Sequence, residues 1–106
     1  MRKNFIMVFI TCSSGREAAS IADMIIKKRL VACVSIMPKI ESRFRWKGSI
    51  VKKGEVLIIA KTGRDKFAAL EREAKKIHSY EVPEIIAMPI TSGSGSYLTW
   101  IDNSIE

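Results

Sequence analysis

The chain has 106 residues, 18 Lys+Arg against 11 Asp+Glu, and a formal net charge of +7. With 47% hydrophobic and 27% charged residues it has the profile of one folded globular domain, 1–106, which excludes a disordered or low-complexity chain. Two cysteines, Cys12 and Cys33, are too few for a disulfide framework and form no Cys-x-x-Cys pair, so the thiols read as free and the expected compartment is the cytoplasm.

Phe5 to Thr11 is a continuous apolar, β-rich run and reads as a strand buried on both faces. Arg2 and Lys3 before it, with Ser13-Ser14-Gly15 after it, imitate a secretory leader. The run is short for a leader core, and removing it would delete a strand. No apolar stretch is long enough to span a membrane, and none is expected to do so.

Ser14-x-x-Glu17 has capping-box spacing and opens a helix whose apolar positions are Ala18, Ile21, Ala22 and Ile25. Val31 to Met37 is a second strand, interrupted at Pro38. The pattern resumes with Ile40, Ser42, Phe44 and Trp46 alternating with Glu41, Arg43, Arg45 and Lys47, a period-two strand with one charged face. Lys47-Gly48-Ser49 is a turn, and Ile50 to Thr62 returns as the third strand, with Lys52-Lys53-Gly54 expected as a bulge or second turn. Asp65 is expected to cap a second helix carrying Phe67, Leu70, Ala74 and Ile77 and ending near His78. Pro83 precedes a fourth strand, Ile85 to Ile90. The Ser/Gly-rich stretch 91–96 then leads to a short terminal helix with Tyr97, Trp100 and Ile101 expected on one face.

The order βαββαβ predicts an α+β, ferredoxin-like domain with both helices on one side of an antiparallel sheet. A strand from Val31 to Trp46 would reach about 50 Å at ~3.3 Å per residue, more than a domain of this length is wide. Its hairpin must overhang or bend at Pro38, and Ile40, Phe44 and Trp46 then need covering, as does the sheet face away from the helices. Self-association answers both needs. An acidic partner held on Arg43, Arg45 and Lys47 is the weaker alternative. No nucleic-acid motif accompanies the positive charge, so no nucleic-acid partner is expected.

Five segments occur in a diagnostic order and spacing: Ala32-Cys33-Val34; Ser42-x-Phe44-x-Trp46-x-Gly48; Lys61-Thr62; His78-Ser79-Tyr80-Glu81-Val82-Pro83-Glu84; and Tyr97-Leu98-x-Trp100-Ile101. From about Phe5 to Ile101 the chain resembles the CutA divalent-cation-tolerance family. That resemblance implies a PII-like homotrimer, located in the cytoplasm and linked to tolerance of copper and other divalent metals. It departs from the family pattern at Phe44, where tyrosine is usual, at Ser79, where proline is common, and at Cys12-Ser13-Ser14, where the family often has a proline.

The same resemblance points to His78 and, through the loop after the first strand, Cys12 as metal positions. Thiolate and imidazole suit copper or zinc, although His78 is the only histidine and no local ligand pair has metal-site spacing. The bland reading of His78 is a helix-terminal side chain bonded to a carbonyl; that of Cys33 is packing alone. Trp46, Lys61, Tyr80, Glu84, Tyr97 and Trp100 are expected to line an inter-subunit cleft or the interface itself. Three functions follow: metal tolerance without catalysis and without an obligatory cofactor; a PII-like module binding a nucleotide or small anion, aided by Lys61 and Arg64; or a trimeric scaffold for a partner protein. Glu81 and Glu84 flank Pro83 but form no recognisable catalytic motif, and no nucleophile elbow is present; no enzymatic activity is expected.

Overall fold

A computed structural model describes residues 1–106. Four strands form one antiparallel sheet in the order β2-β3-β1-β4: β1 Phe5–Cys12, β2 Cys33–Trp46, β3 Ser49–Gly63 and β4 Ile85–Pro89. The helices are α1 Gly15–Lys27, α2 Phe67–Ile77 and α3 Gly95–Ser104, with a single 3-10 turn at Arg64–Lys66 before α2. The expected βαββαβ order holds, and no helix is long and apolar enough to cross a membrane.

The core lies between one sheet face and the first two helices. Val8, Ile10 and Cys12 of β1 and Ile58 and Ala60 of β3 meet Ile21 and Ile25 of α1 and Leu70 and Ala74 of α2. Because strand side chains alternate, Met7, Phe9, Leu57 and Ile59 must point the other way. That second face is covered only at one end, where α3 packs Ile101 and Ile105 on Phe5. Tyr97 and Trp100 do not share the buried side of α3 with Ile101. They turn outward, ring centroids 5.5 Å apart, because the sheet end accepts only a narrow stripe of the helix.

The Ser14 cap forms as expected, its hydroxyl accepting from the Glu17 N–H at 3.1 Å. Glu17 does not return the bond to Ser14; its Oε1 accepts from the backbone N–H of Ser13 at 2.9 Å. Helix α1 ends with Leu30 N–H bonded to Ile25 O and Arg29 N–H to Ile26 O, each at 2.9 Å, and with Arg29 itself left-handed at φ 57°. This is a Schellman closure, and it buries Leu30 beside Ile25.

The expected irregularity at Lys52-Lys53-Gly54 is absent; those residues pair regularly with Arg43, Ser42 and Glu41. The bulge lies on the opposite strand, where Pro38 and Lys39 face the single residue Val56. Proline has no N–H for the ladder, so the extra residue falls where the donor is already missing. The one-residue offset has a consequence. Before it Cys33, Ser35 and Met37 share the uncovered face with Lys61, Ile59 and Leu57; after it Ile40, Phe44 and Trp46 take over, opposite Glu55, Val51 and Ser49. The apolar side of the hairpin thus continues the uncovered face of the sheet.

Lys47 (φ 49°) and Gly48 (φ 83°) both have positive φ, the two-residue turn whose twist matches a hairpin. The hairpin projects, giving extents of 45 × 25 × 22 Å. Ile36, Met37, Phe44, Trp46 and Ile86 are all substantially exposed in the single chain.

Asp65 does not cap α2. It sits in the 3-10 turn, and its carboxylate accepts from Arg2 Nε at 2.8 Å, while the residue preceding α2 is Lys66 with no side-chain cap. Arg2 also reaches Asp102 at 2.7 Å and Glu106 at 2.6 Å, tying the first residues to α3.

Candidate functional site

Three elements end at one corner of the molecule. β1 delivers Cys12, the first turn of α1 delivers Glu17, and the residue after α2 is His78. One ligand atom from each lies within 4.8 Å of the others, a soft thiol, an imidazole and a carboxylate. Cys12 and His78 are the two metal positions expected from the sequence; Glu17, expected there only as a capping residue, joins them.

The resting state of each group follows from its contacts. The backbone N–H of Tyr80 donates to His78 Nδ1 at 3.1 Å. An amide nitrogen can only donate, so Nδ1 is the bare nitrogen and Nε2 carries the proton. Nε2 then donates to the Thr11 carbonyl at 2.8 Å. Pairing between β4 and β1 stops at Ile10, so this carbonyl lies just past the last strand partner. Burial, together with the nearby carboxylates of Glu17 and Glu55, pushes the Cys12 thiol up to about 12. It is a protonated thiol at neutral pH. Glu17 is the reverse. Burial raises it, but the Ser13 N–H, the Ser79 hydroxyl and N–H and the Ser13 hydroxyl outweigh that and hold it at about 2. Its Oε2 receives the Ser79 N–H at 2.8 Å, so the serine that departs from the family pattern supplies a donor that proline could not.

Next to this corner, between the hairpin and the loop after α2, lies a cleft of about 370 Å³ lined by Thr11, Ser42, Arg43, Phe44, Trp46, Glu55, Tyr80, Val82 and Glu84. A neighbouring depression shares Phe44, Trp46, Tyr80 and Val82 with it. The Tyr80 hydroxyl donates to Glu55 Oε2 at 2.5 Å, and Lys53 Nζ stands 4.2 Å from the centre of the Tyr80 ring. Burial first, and then the bond to Glu55, raise the Tyr80 phenol well above its ordinary value.

Of the six residues expected around a cleft, Trp46, Tyr80 and Glu84 meet here. Lys61, Tyr97 and Trp100 do not. They form a separate group on the uncovered sheet face, where Cys33 Sγ is 3.5 Å from the Tyr97 hydroxyl and 4.0 Å from Lys61 Nζ. Cys33 is therefore not merely packed. Arg64, the other basic residue expected to help with anions, lies beside Asn4 and Phe67, on a different surface. Glu55 was missed altogether. Its signal was a carboxylate at the head of the apolar run Val56–Ala60, where a solvated charge is out of place.

A family model described as CutA1 divalent ion tolerance protein matches residues 6–104. The chain is 45% identical over 99 residues to the divalent-cation tolerance protein CutA of Archaeoglobus fulgidus, covering 93% of this chain and 96% of that one. It is 41% identical over 95 residues to the corresponding Thermus thermophilus protein, covering 90% and 92%. With the human protein CutA the identity is 41% over 98 residues, covering 92% of this chain but 55% of the human one. The chain thus spans about half the length of its mammalian and plant relatives. Among solved structures, one described as the periplasmic divalent cation tolerance protein CutA from Archaeoglobus fulgidus superposes with a TM-score of 0.93 at 41% identity, covering 96% of this chain and 99% of that chain. The Thermus thermophilus structure gives 0.89 at 40%, covering 92% and 94%.

Proposed function

The chain belongs to the CutA1 divalent ion tolerance family, and from that premise we propose that it is a non-enzymatic homotrimer that engages copper or another soft divalent metal, weakly and reversibly, at Cys12, Glu17 and His78. The observation that carries this reading is the convergence of the three donor atoms within 4.8 Å from three separate elements. Thiolate and imidazole together favour copper and zinc over hard cations.

The donor set fits such an ion chemically, and the resting contacts set the strength. The thiol must lose its proton, and His78 must give up either the Tyr80 N–H or the Thr11 carbonyl. Ligands that must first be deprotonated bind metal with reduced, pH-dependent affinity. Weak, exchangeable binding suits passing an ion on rather than storing it.

The trimer is supported by the uncovered sheet face, which the hairpin extends with Met37, Phe44 and Trp46. An exposed apolar surface of this kind marks an interaction site. A chelator-buffered copper(I) titration, with the assembly mass recorded in the same sample, tests the reading. His78→Ala should weaken binding by about tenfold or more, since each 1.4 kcal/mol is a factor of ten, while the mass stays that of three chains. Unchanged affinity would put the ion elsewhere.

A further inference from the structure

The His78 ring has no spare nitrogen. Nδ1 accepts from the Tyr80 N–H at 3.1 Å, and Nε2 donates to the Thr11 carbonyl at 2.8 Å. A neutral imidazole has one proton and one bare ring lone pair, so both nitrogens are fully used. Glu17 differs. Its Oε2 accepts from the Ser79 N–H at 2.8 Å, but a carboxylate oxygen keeps a second lone pair with which to meet an ion. Of these contacts between the corner and the turn after α2, the one on the ring must break when an ion binds there.

An ion can reach the ring at either nitrogen. On Nδ1 it takes the lone pair that holds the Tyr80 N–H, while Nε2 keeps its bond to Thr11, the kind of carbonyl contact that orients a metal-bound imidazole. On Nε2 it displaces the proton, and a neutral ring must then carry that proton on Nδ1. Two N–H groups would then face each other where the 3.1 Å bond now lies. Both routes deprive the Tyr80 amide of its acceptor. They differ only in whether the Thr11 carbonyl keeps its donor.

Tyr80 is anchored at two ends, by its amide to His78 and by its hydroxyl to Glu55 Oε2. Glu55 is buried in β3 and is paired with Ile40 of β2. We infer that an ion held by Cys12, Glu17 and His78 frees the Tyr80 amide whichever ring nitrogen it takes, and that Tyr80 passes this change to Glu55 and so to the β2–β3 hairpin. The inference rests on the metal reading and gives that site an output: the 78–80 turn has one arrangement when the corner is empty and another when it is loaded. Both anchors lie within one chain, so the coupling does not depend on what covers the hairpin in an assembly.

Chelator-buffered copper(I), which is diamagnetic, is titrated into the nitrogen-15-labelled full chain. On loading, the Tyr80 amide should shift and should exchange with solvent about tenfold or more faster, while the core amides of β1 and β3 keep their rates. Tyr80→Phe retains the amide but lacks the bond to Glu55. With one anchor of the turn already gone, it should bind copper(I) several-fold more tightly than wild type, because coupling between two sites is reciprocal. A loaded protein whose Tyr80 amide keeps its shift and protection would overturn the inference while leaving the metal reading intact. So would a Tyr80→Phe affinity equal to or below that of wild type. Copper affinity unaltered by His78→Ala would overturn both.

Discussion

The backbone N–H of Tyr80 donates to Nδ1 of His78 at 3.1 Å, and this single contact fixes which imidazole nitrogen carries the proton. The proton on Nε2 then satisfies the Thr11 carbonyl, so one side chain joins the end of β1 to the turn after α2. Tyr80 is itself held at its other end by Glu55 on the hairpin. The Cys12–Glu17–His78 corner and the cleft therefore share the 78–80 turn.

His78→Ala leaves a part-buried carbonyl and an amide N–H without partners. It should lower stability by about 1–3 kcal/mol, read as a shift of the urea midpoint at unchanged slope. Nitrogen-15 spectra of the wild-type ring should show the proton on Nε2. A proton on Nδ1 would contradict the assigned bond.

The Cys12 thiol gives a pH dependence with a definite sign. Below about 12 the folded protein keeps the thiol protonated, so binding copper as a thiolate releases one proton. Glu17, held at about 2, releases none at neutral pH. Affinity should therefore rise by about tenfold per pH unit between pH 6 and 8, measured by competition against a chelator whose own pH dependence is known. For folding, the raised pKa has the opposite consequence. The unfolded thiol ionises near ~8.5, so the stabilisation is complete below that pH and is lost as pH climbs toward about 12. Cys12→Ala should lack this alkaline loss.

Glu17 titrates in the other direction. Its folded pKa, about 2, lies below the unfolded value of ~4.3, so its contribution is present above the unfolded value and fades as pH falls toward the folded one. Wild type should be more stable than Glu17→Gln at pH 6, and urea midpoints of the two should converge on acidification. A gap that stays constant down to pH 2.5 would mean that the bonds from Ser13 and Ser79 do not depend on the carboxylate charge.

Legibility in the sequence tracked the range of the interaction. The period-two run from Ile40 to Trp46, the Ser14 cap and the apolar stripe from Ala18 to Ile25 are local, and all three are present in the structure. The bulge was misplaced because an offset belongs to a pair of strands. Lys52-Lys53-Gly54 carried the turn-like composition, while Pro38 on the partner strand carried the missing donor. Asp65 looked like a cap because its competitor, Arg2, is 63 positions away. At the candidate site, the ordered motifs drew attention to His78, Tyr80 and Glu84. Nothing local could have told that the Tyr80 amide would occupy the imidazole, or that Glu55 would lie buried beneath the phenol.

The most direct test of the proposed metal role is X-ray absorption at the copper edge of protein loaded with one copper(I) per chain. One sulfur scatterer at ~2.3 Å and the multiple-scattering signature of imidazole are expected, the first lost in Cys12→Ala and the second in His78→Ala. A spectrum with no imidazole, or one that keeps its sulfur in Cys12→Ala, would contradict that role and move the ion away from the corner where β1, α1 and α2 meet.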